Sequence, residues 1–195
     1  MLILASASPR RQALLQGLGL SFETRPQHCA EHSAAKDPAD FVVEVALQKA
    51  ESARRQATPA DTVLAADTVV CLDGQILGKP QDEADARRML SSLSGRTHQV
   101  CTGIALWQGG QMRTHCEQTL VTFYDLEPWL VDWYIATGEP LDKAGAYGIQ
   151  GKGALLVRQI QGDFYNVIGL PLAPLMRMPG PSIRKIGRAS CRERV

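Results

Sequence analysis

The stretch Val63-Leu64-Ala65-Ala66-Asp67-Thr68-Val69-Val70-Cys71-Leu72 decides how this chain folds. It is an apolar run of strand length, and the pair Asp73-Gly74 that follows it is typical of a turn. We therefore expect a strand buried in a sheet. Asp67 lies in its middle, where a carboxylate loses its hydration. Either backbone N–H groups or a Lys or Arg satisfy this carboxylate, or it lies at the floor of a site, as metal ligand or general base.

The composition is that of an ordinary globular protein. The 195 residues are 45% hydrophobic and 21% charged, which fits one domain or two small lobes. A net charge of +1 gives no general attraction to nucleic acid or to an anionic membrane, and no apolar run has membrane-spanning length. The start, Met1–Ser6, is too short and lacks the basic residues of a signal peptide. Five scattered cysteines without Cys-x-x-Cys spacing indicate reduced thiols in the cytoplasm.

A helix start with an unusual charge follows the first short strand. Ser8 is a good N-cap and Pro9 suits the first helical position. Arg10 and Arg11 then fall in the first turn, where acids are favoured because the helix dipole is positive there. Free N–H groups and two guanidiniums together favour an anion site, most simply for phosphate. The alternative is a solvated pair of surface arginines.

Strands and helices alternate along the chain around one long hairpin, so we expect an α/β fold with a mixed, twisted sheet flanked by helices. A helix over residues 38–55 carries Lys49 near its apolar face, where a lysine commonly keeps its charged end in water. The helix over residues 126–136 is expected to bury its apolar anchors, Trp129 and Trp133 among them. We expect a strand over residues 154–160, a turn over 162–166 and a short closing helix after Val167.

Further candidate site residues lie in loops. Glu31 lies in a polar segment, and Lys79 lies between Gly78 and Pro80, which suits either a phosphate contact or a simple turn. The segment Asp142–Gly153 holds four glycines and permits close approach of a ligand, although it is neither a Walker loop nor a dinucleotide fingerprint. Cations beside carboxylates and glycines describe a nucleoside triphosphate site with a divalent ion.

Six motifs occur in this order along the chain: Ser6-Ala7-Ser8-Pro9-Arg10-Arg11, Ala66-Asp67-Thr68-Val69-Val70, Gly78-Lys79-Pro80, Ser94-Gly95-Arg96-Thr97-His98, Asp142-Lys143-Ala144-Gly145-Ala146-Tyr147-Gly148-Ile149-Gln150-Gly151 and Gly169-Leu170-Pro171-Leu172. Together they resemble the Maf family of nucleoside triphosphate pyrophosphatases. The resemblance covers residues 1–178 as one domain and implies a Maf/ITPase-like fold with a cleft between two lobes. Residues 179–195 are basic and lack periodicity, so we expect a disordered tail or a non-native appendage.

The family resemblance implies hydrolysis of a nucleoside triphosphate to the monophosphate and pyrophosphate, with Mg or Mn as the cation. By this resemblance Asp67 accepts the proton of the attacking water, although metal coordination by Asp67 is equally consistent with its chemistry. Glu31 corresponds to a second acid near the metal. The residues that would hold the triphosphate are Ser6, Arg10, Arg11, Lys49 and Lys79.

Three positions sort substrates within the family. Arg10, Thr68 and Gln150 match the branch that acts on dTTP and UTP, whereas the sister branch for 7-methyl-GTP has Trp, Gln and Glu there. A neutral amide offers both a donor and an acceptor, which suits uracil or thymine. The expected partner is the nucleotide, in the cytoplasm, without nucleic acid or membrane, and a homodimer is one possible assembly.

Two other functions compete with the enzymatic one. The first is a nucleotide-sensing regulator of cell division, because the family name is linked to inhibition of septum formation. The second is a nucleic-acid binder built on the Arg10-Arg11 turn, which the near-zero net charge disfavours. Asp67→Asn separates enzyme from sensor, since only the enzyme should lose its effect.

Overall fold

The computed structural model describes residues 1–27 and 33–178. Glu31 and the tail 179–195, for which the sequence makes predictions, therefore lie outside the described residues. Within these ranges the chain forms one mixed seven-stranded sheet with helices, which confirms the predicted α/β class. No helix among the described residues has the length and apolar character that crossing a membrane requires.

The strands follow the order β2-β1-β3-β5-β6-β7, and β4 pairs with β3. Strand β1 is parallel to both β2 and β3, whereas β4 and β7 pair antiparallel to their neighbours. Gly109 and Gly110 both have positive φ angles, which the tight turn between β5 and β6 requires. The strands are β1 (Leu2–Leu4), β2 (Phe22–Thr24), β3 (Thr62–Leu72), β4 (Gln75–Leu77), β5 (Thr97–Gln108), β6 (Gln111–Phe123) and β7 (Val157–Gln161).

The helices begin mostly where the sequence supplies a cap or a proline. Ser8 caps the first helix and Asp37 the second, each followed by proline, and Asp82 caps the third. The helices are α1 (Pro9–Gly17), α2 (Pro38–Arg54), α3 (Glu83–Leu93), α4 (Pro128–Ala136), α5 (Phe164–Ile168) and α6 (Leu172–Arg177), with 3₁₀ helices at Glu139–Asp142, Ala144–Ala146 and Gly151–Leu156.

The chain divides into two compact units. The first comprises the described residues within 1–67, 102–117 and 169–178. Alternate strand residues point to opposite sides of its sheet, and both sides are buried. Leu64 and Ala66 of β3 share one cluster with Leu15 of α1 and Leu175 of α6, whereas Val63 and Ala65 share another with Ala46, Ala50 and Ala53 of α2.

The second unit comprises residues 68–101 and 118–168. Its core joins Val70 and Leu72 of β3 to the apolar faces of α3 and α4. Tyr134 of α4 is fully buried in this core. Asn166 of α5 is also fully buried, and its amide donates to Val100 O and Thr119 Oγ1 at 3.0 and 2.9 Å.

Three local predictions are wrong. Trp129 and Trp133 are 62% and 40% exposed, because α4 turns Val131, Tyr134 and Ile135 to the core instead. The strand expected from residue 154 begins at Val157, because Gly151–Leu156 forms a 3₁₀ helix and pairing with β6 starts only at Val157.

The turn expected over residues 162–166 is instead largely the short helix α5. Asp163 Oδ1 accepts a hydrogen bond from Tyr165 N at 2.8 Å, so the aspartate supports the helix start as a capping residue does. This capping signal was present in the sequence.

Candidate active site

The loop between β1 and α1 has the predicted geometry of a helix N-terminus. Ser8 is in extended backbone conformation, and its Oγ accepts a hydrogen bond from Arg11 N at 3.5 Å. Ser6 is buried, and its Oγ accepts from Ser8 N at 3.2 Å. The first turn contains no acidic residue. The positive end of α1 therefore carries two arginines and no counter-charge from its own first turn.

The structure gives the two arginines different surroundings. Arg11 is buried, and its guanidinium donates from Nε to Gly169 O at 2.7 Å and from Nη1 to Ser6 Oγ at 3.1 Å. Arg10 is half-buried. These two bonds fix the orientation of the Arg11 guanidinium. Arg11 is thus a pre-positioned cation rather than a solvated surface arginine.

Asp67 and Lys49 form a buried ion pair. Lys49 Nζ donates to Asp67 Oδ1 at 2.7 Å, and the two residues are only 8% and 9% exposed. Lys49 lies on the buried face of α2 with Val45, Ala46 and Ala50, so its side chain does not extend into solvent as a snorkelling lysine would. The pair explains how β3 tolerates an acid, and it brings a predicted cation and the predicted catalytic acid into contact.

Sheet topology explains why these groups converge within the first unit. In the order β2-β1-β3 the chain crosses from β1 to β2 and then returns past β1 to β3, so the direction of winding reverses at β1. Open α/β sheets bind ligands at the carboxyl ends of the strands that flank such a reversal. The Ser6–Arg11 segment leaves the carboxyl end of β1, and Asp67 lies three residues beyond Leu64, the partner of Leu4. The N-terminus of α1 therefore follows the carboxyl end of β1, and Asp67 lies in β3 just beyond the last residue that pairs with β1.

The remaining predicted residues belong to the second unit. Lys79 and Gln150 are exposed, and Thr68 is half-buried. Gly145 N donates to Gly78 O at 3.0 Å, so the Gly78-Lys79-Pro80 turn and the glycine-rich segment are tied together by their backbones. Ala146 has a φ angle of 59°, which is strained for a residue with a side chain and is typical of functional segments.

A buried histidine also anchors the glycine-rich segment, and the sequence prediction gave it no role. His98 Nε2 lies 2.7 Å from Tyr147 Oη, and the two rings also meet edge to face. Burial lowers the pKa of His98 to about 4 and raises the pKa of Tyr147, so both are neutral at neutral pH. His98 lies in the motif Ser94-Gly95-Arg96-Thr97-His98, and that motif was the signal in the sequence that could have identified it.

The described residues fit a divalent cation only in a limited way. They contain no group of three His, Cys, Asp or Glu side chains arranged to hold a metal. Asp67 supplies one carboxylate, and Glu31 lies outside the described residues. Mg²⁺ commonly keeps several waters and binds through one or two carboxylates plus substrate phosphates. This donor set suits a cation that is shared with a triphosphate.

Comparisons with known proteins identify the family of this chain. The sequence profile of the family described as "Maf-like protein" matches residues 1–179. A dTTP/UTP pyrophosphatase from Symbiobacterium thermophilum is 49% identical over 178 residues, 91% of each chain. A dTTP/UTP pyrophosphatase from Bacillus cytotoxicus is 52% identical over 176 residues, 90% of this chain and 92% of that protein.

Among solved structures, a HAM1 protein from Coxiella burnetii aligns with 80% of this chain and 90% of its own, with a TM-score of 0.48 and 18% identity. The family match spans all the described residues, and it includes the Ser6–Arg11 segment, the Asp67 strand and the glycine-rich segment. On the family match and the relatives at about half identity, the chain belongs to the Maf-like protein family.

Proposed function

We propose that this protein hydrolyses dTTP and UTP to the monophosphate and pyrophosphate. The observation that carries the proposal is the buried Lys49–Asp67 pair in the same unit as the α1 N-terminus with its fixed arginine. The names of the relatives, which are half identical over nine-tenths of the chain, support the substrate class. We further propose that modified pyrimidine triphosphates are substrates and that the enzyme cleans the nucleotide pool of the cytoplasm.

In the proposed reaction, water attacks the α-phosphorus and its oxygen forms the new P–O bond. The bond between the α-phosphorus and the bridging oxygen breaks, and pyrophosphate leaves with that electron pair. Asp67 accepts the proton of the attacking water, and Lys49 orients the carboxylate through its 2.7 Å hydrogen bond. Lys49 is therefore a positioning residue for the general base, Asp67.

Charge grows on the leaving pyrophosphate, so cations that are fixed beforehand stabilise the transition state. Arg11 and the N-terminus of α1 meet this requirement, because Arg11 is held by Gly169 O and by Ser6 Oγ. We assign Arg10 to the same phosphates. We assign Lys79 to phosphate, and Thr68 and Gln150 to the base, on the family pattern alone.

A divalent cation, Mg or Mn, would be held by Asp67 and Glu31 and would neutralise phosphate charge. The buried carboxylate of Asp67 fits a cation that arrives with its nucleotide. Equilibrium dialysis of Mn²⁺ with a non-hydrolysable UTP analogue tests this part separately from turnover. Binding of Mn²⁺ that depends on Asp67 supports the assignment, and equal binding to Asp67→Asn contradicts it.

The test of the reaction is a panel of nucleoside triphosphates with product identification. We expect pyrophosphate and UMP from UTP, and loss of turnover by at least a hundredfold in Asp67→Asn with nucleotide binding retained. Asp61→Asn is the matched control, because Asp61 is an equally buried acid of the same unit that pairs with the N-terminal ammonium at 3.1 Å. Release of orthophosphate would contradict the assigned bond cleavage.

A further inference from the structure

We assign recognition of the base to Gln150, which lies in a glycine-rich segment of the backbone. It is exposed, and it directly precedes Gly151, whose φ angle is 67°. Glycine-rich backbone samples many conformations unless other groups fix it. A mobile amide pairs with either a uracil or a cytosine edge, because it is both donor and acceptor. Discrimination by Gln150 therefore requires that its backbone be fixed.

Tyr134 holds this backbone on one side of Gln150. The phenol is fully buried, and its hydroxyl accepts a hydrogen bond from Gly148 N at 3.1 Å. A Cβ atom built on Gly153 would lie 2.6 Å from the same hydroxyl, so the backbone rests directly on the phenol at two points. Tyr134 belongs to α4, whose packing in the core fixes the position of the hydroxyl.

Glu139 holds the backbone on the other side. Its Oε1 accepts a hydrogen bond from Lys152 N at 3.3 Å, and a Cβ atom on Gly151 would lie 3.1 Å from the same oxygen. The two bonded N–H groups, at residues 148 and 152, are two residues before and two residues after Gln150. The side chains of Tyr134 and Glu139 thus form a clamp that brackets the recognition residue.

We propose that Tyr134 and Glu139 are positioning residues that set the preference for uracil and thymine by fixing the backbone around Gln150. This inference rests on the proposed function through the role of Gln150. The clamp residues act through the backbone and do not touch the nucleotide. Their loss should therefore change the choice of base more than the chemical step.

The experiment measures kcat/KM for UTP and for CTP. We expect Tyr134→Phe and Glu139→Leu to lower the UTP-to-CTP ratio about tenfold, with kcat for UTP within threefold of wild type. Glu139→Gln keeps an acceptor oxygen and should restore the wild-type ratio. Ser94→Ala is the matched control, because Ser94 Oγ accepts a backbone N–H from Leu126 at 2.7 Å just before α4 begins. This control should keep the wild-type ratio.

A second measurement does not depend on turnover. Hydrogen exchange at Gly148 N should become at least tenfold faster in Tyr134→Phe and remain slow in the Ser94 control. If the wild type is active on UTP but the UTP-to-CTP ratio of kcat/KM is unchanged in both Tyr134→Phe and Glu139→Leu, the clamp is refuted. The proposed function is then unaffected. A wild type that releases no pyrophosphate from dTTP or UTP would overturn the proposed function, and the clamp with it.

Discussion

Removing one partner of the Lys49–Asp67 pair should cost several kcal/mol of stability as well as activity. Two unit charges 2.7 Å apart attract by about 6 kcal/mol at an effective dielectric constant of about 20. Desolvation offsets much of this attraction, because both residues are more than nine-tenths buried. Lys49→Met leaves the carboxylate buried without its ammonium partner. We expect it to lower the free energy of unfolding by about 3 kcal/mol.

The pairwise part of this cost is measured by a double-mutant cycle with Asp67→Asn. Asparagine keeps an acceptor oxygen for Lys49, so the single Asp67→Asn variant should lose less, about 2 kcal/mol. The double variant buries no charge at this position. Its loss should fall short of the sum of the single losses by about 2 kcal/mol. Urea denaturation at pH 7, followed by circular dichroism, gives the three free energies.

The cycle has a clear refuting result. If the two single losses add to within about 0.5 kcal/mol, the charges do not interact as the 2.7 Å distance requires. A Lys49→Met variant with wild-type stability and wild-type turnover would also refute the reasoning. Such a result would mean that Lys49 affects neither the stability of the fold nor the action of Asp67.

Three further changes test the supporting structure. Gly103→Ala should cost about 3 kcal/mol in urea denaturation, because its Cβ would lie 2.4 Å from Val42 O in the backbone of α2; wild-type stability would contradict this packing. Arg11→Lys should cost about 2 kcal/mol and lower turnover, because lysine cannot bond Gly169 O and Ser6 Oγ with the same fixed fork; the measurement combines denaturation with pyrophosphate release. The folded pKa of His98 is depressed to about 4, so its stabilising effect is complete above the unfolded value of 6.5 and is lost as the pH falls to about 4. The loss should be about 3 kcal/mol between pH 7 and pH 4, and His98→Gln should remove that part of the pH dependence.

The sequence predicts well those parts of the fold that short-range chemistry determines. The apolar run from Val63 to Leu72 lies within β3, and Ser8 with Pro9 begins α1, because burial of a strand and capping of a helix depend on neighbouring residues. The alternation of elements also predicts the mixed sheet. The structure adds that Asp67 is paired with Lys49, a contact over eighteen positions that no local pattern specifies.

The error at α4 has a physical cause, which is that tertiary packing selects among faces that the sequence leaves equivalent. Helix α4 is apolar on nearly every side, so periodicity cannot say whether Trp133 or Tyr134 faces the core. The structure buries Tyr134 and leaves Trp133 40% exposed. For the same reason the sequence could predict Tyr134 as a core residue but not the contact of its hydroxyl with Gly148 N, because that contact depends on the path of the glycine-rich segment.

Among the described residues of the first unit, Lys49 and Arg11 are buried cations with different surroundings. Lys49 Nζ donates to Asp67 Oδ1 at 2.7 Å, whereas Arg11 donates to Gly169 O and Ser6 Oγ, two bonds that fix its orientation. Because Lys49 contacts Asp67 directly, its effect on the reaction should be felt mainly through Asp67. Arg11 belongs to the α1 N-terminus, which we assign to the phosphates. This division predicts that Arg11 variants raise KM and lower kcat together, whereas Lys49 variants lower kcat with a smaller change in KM.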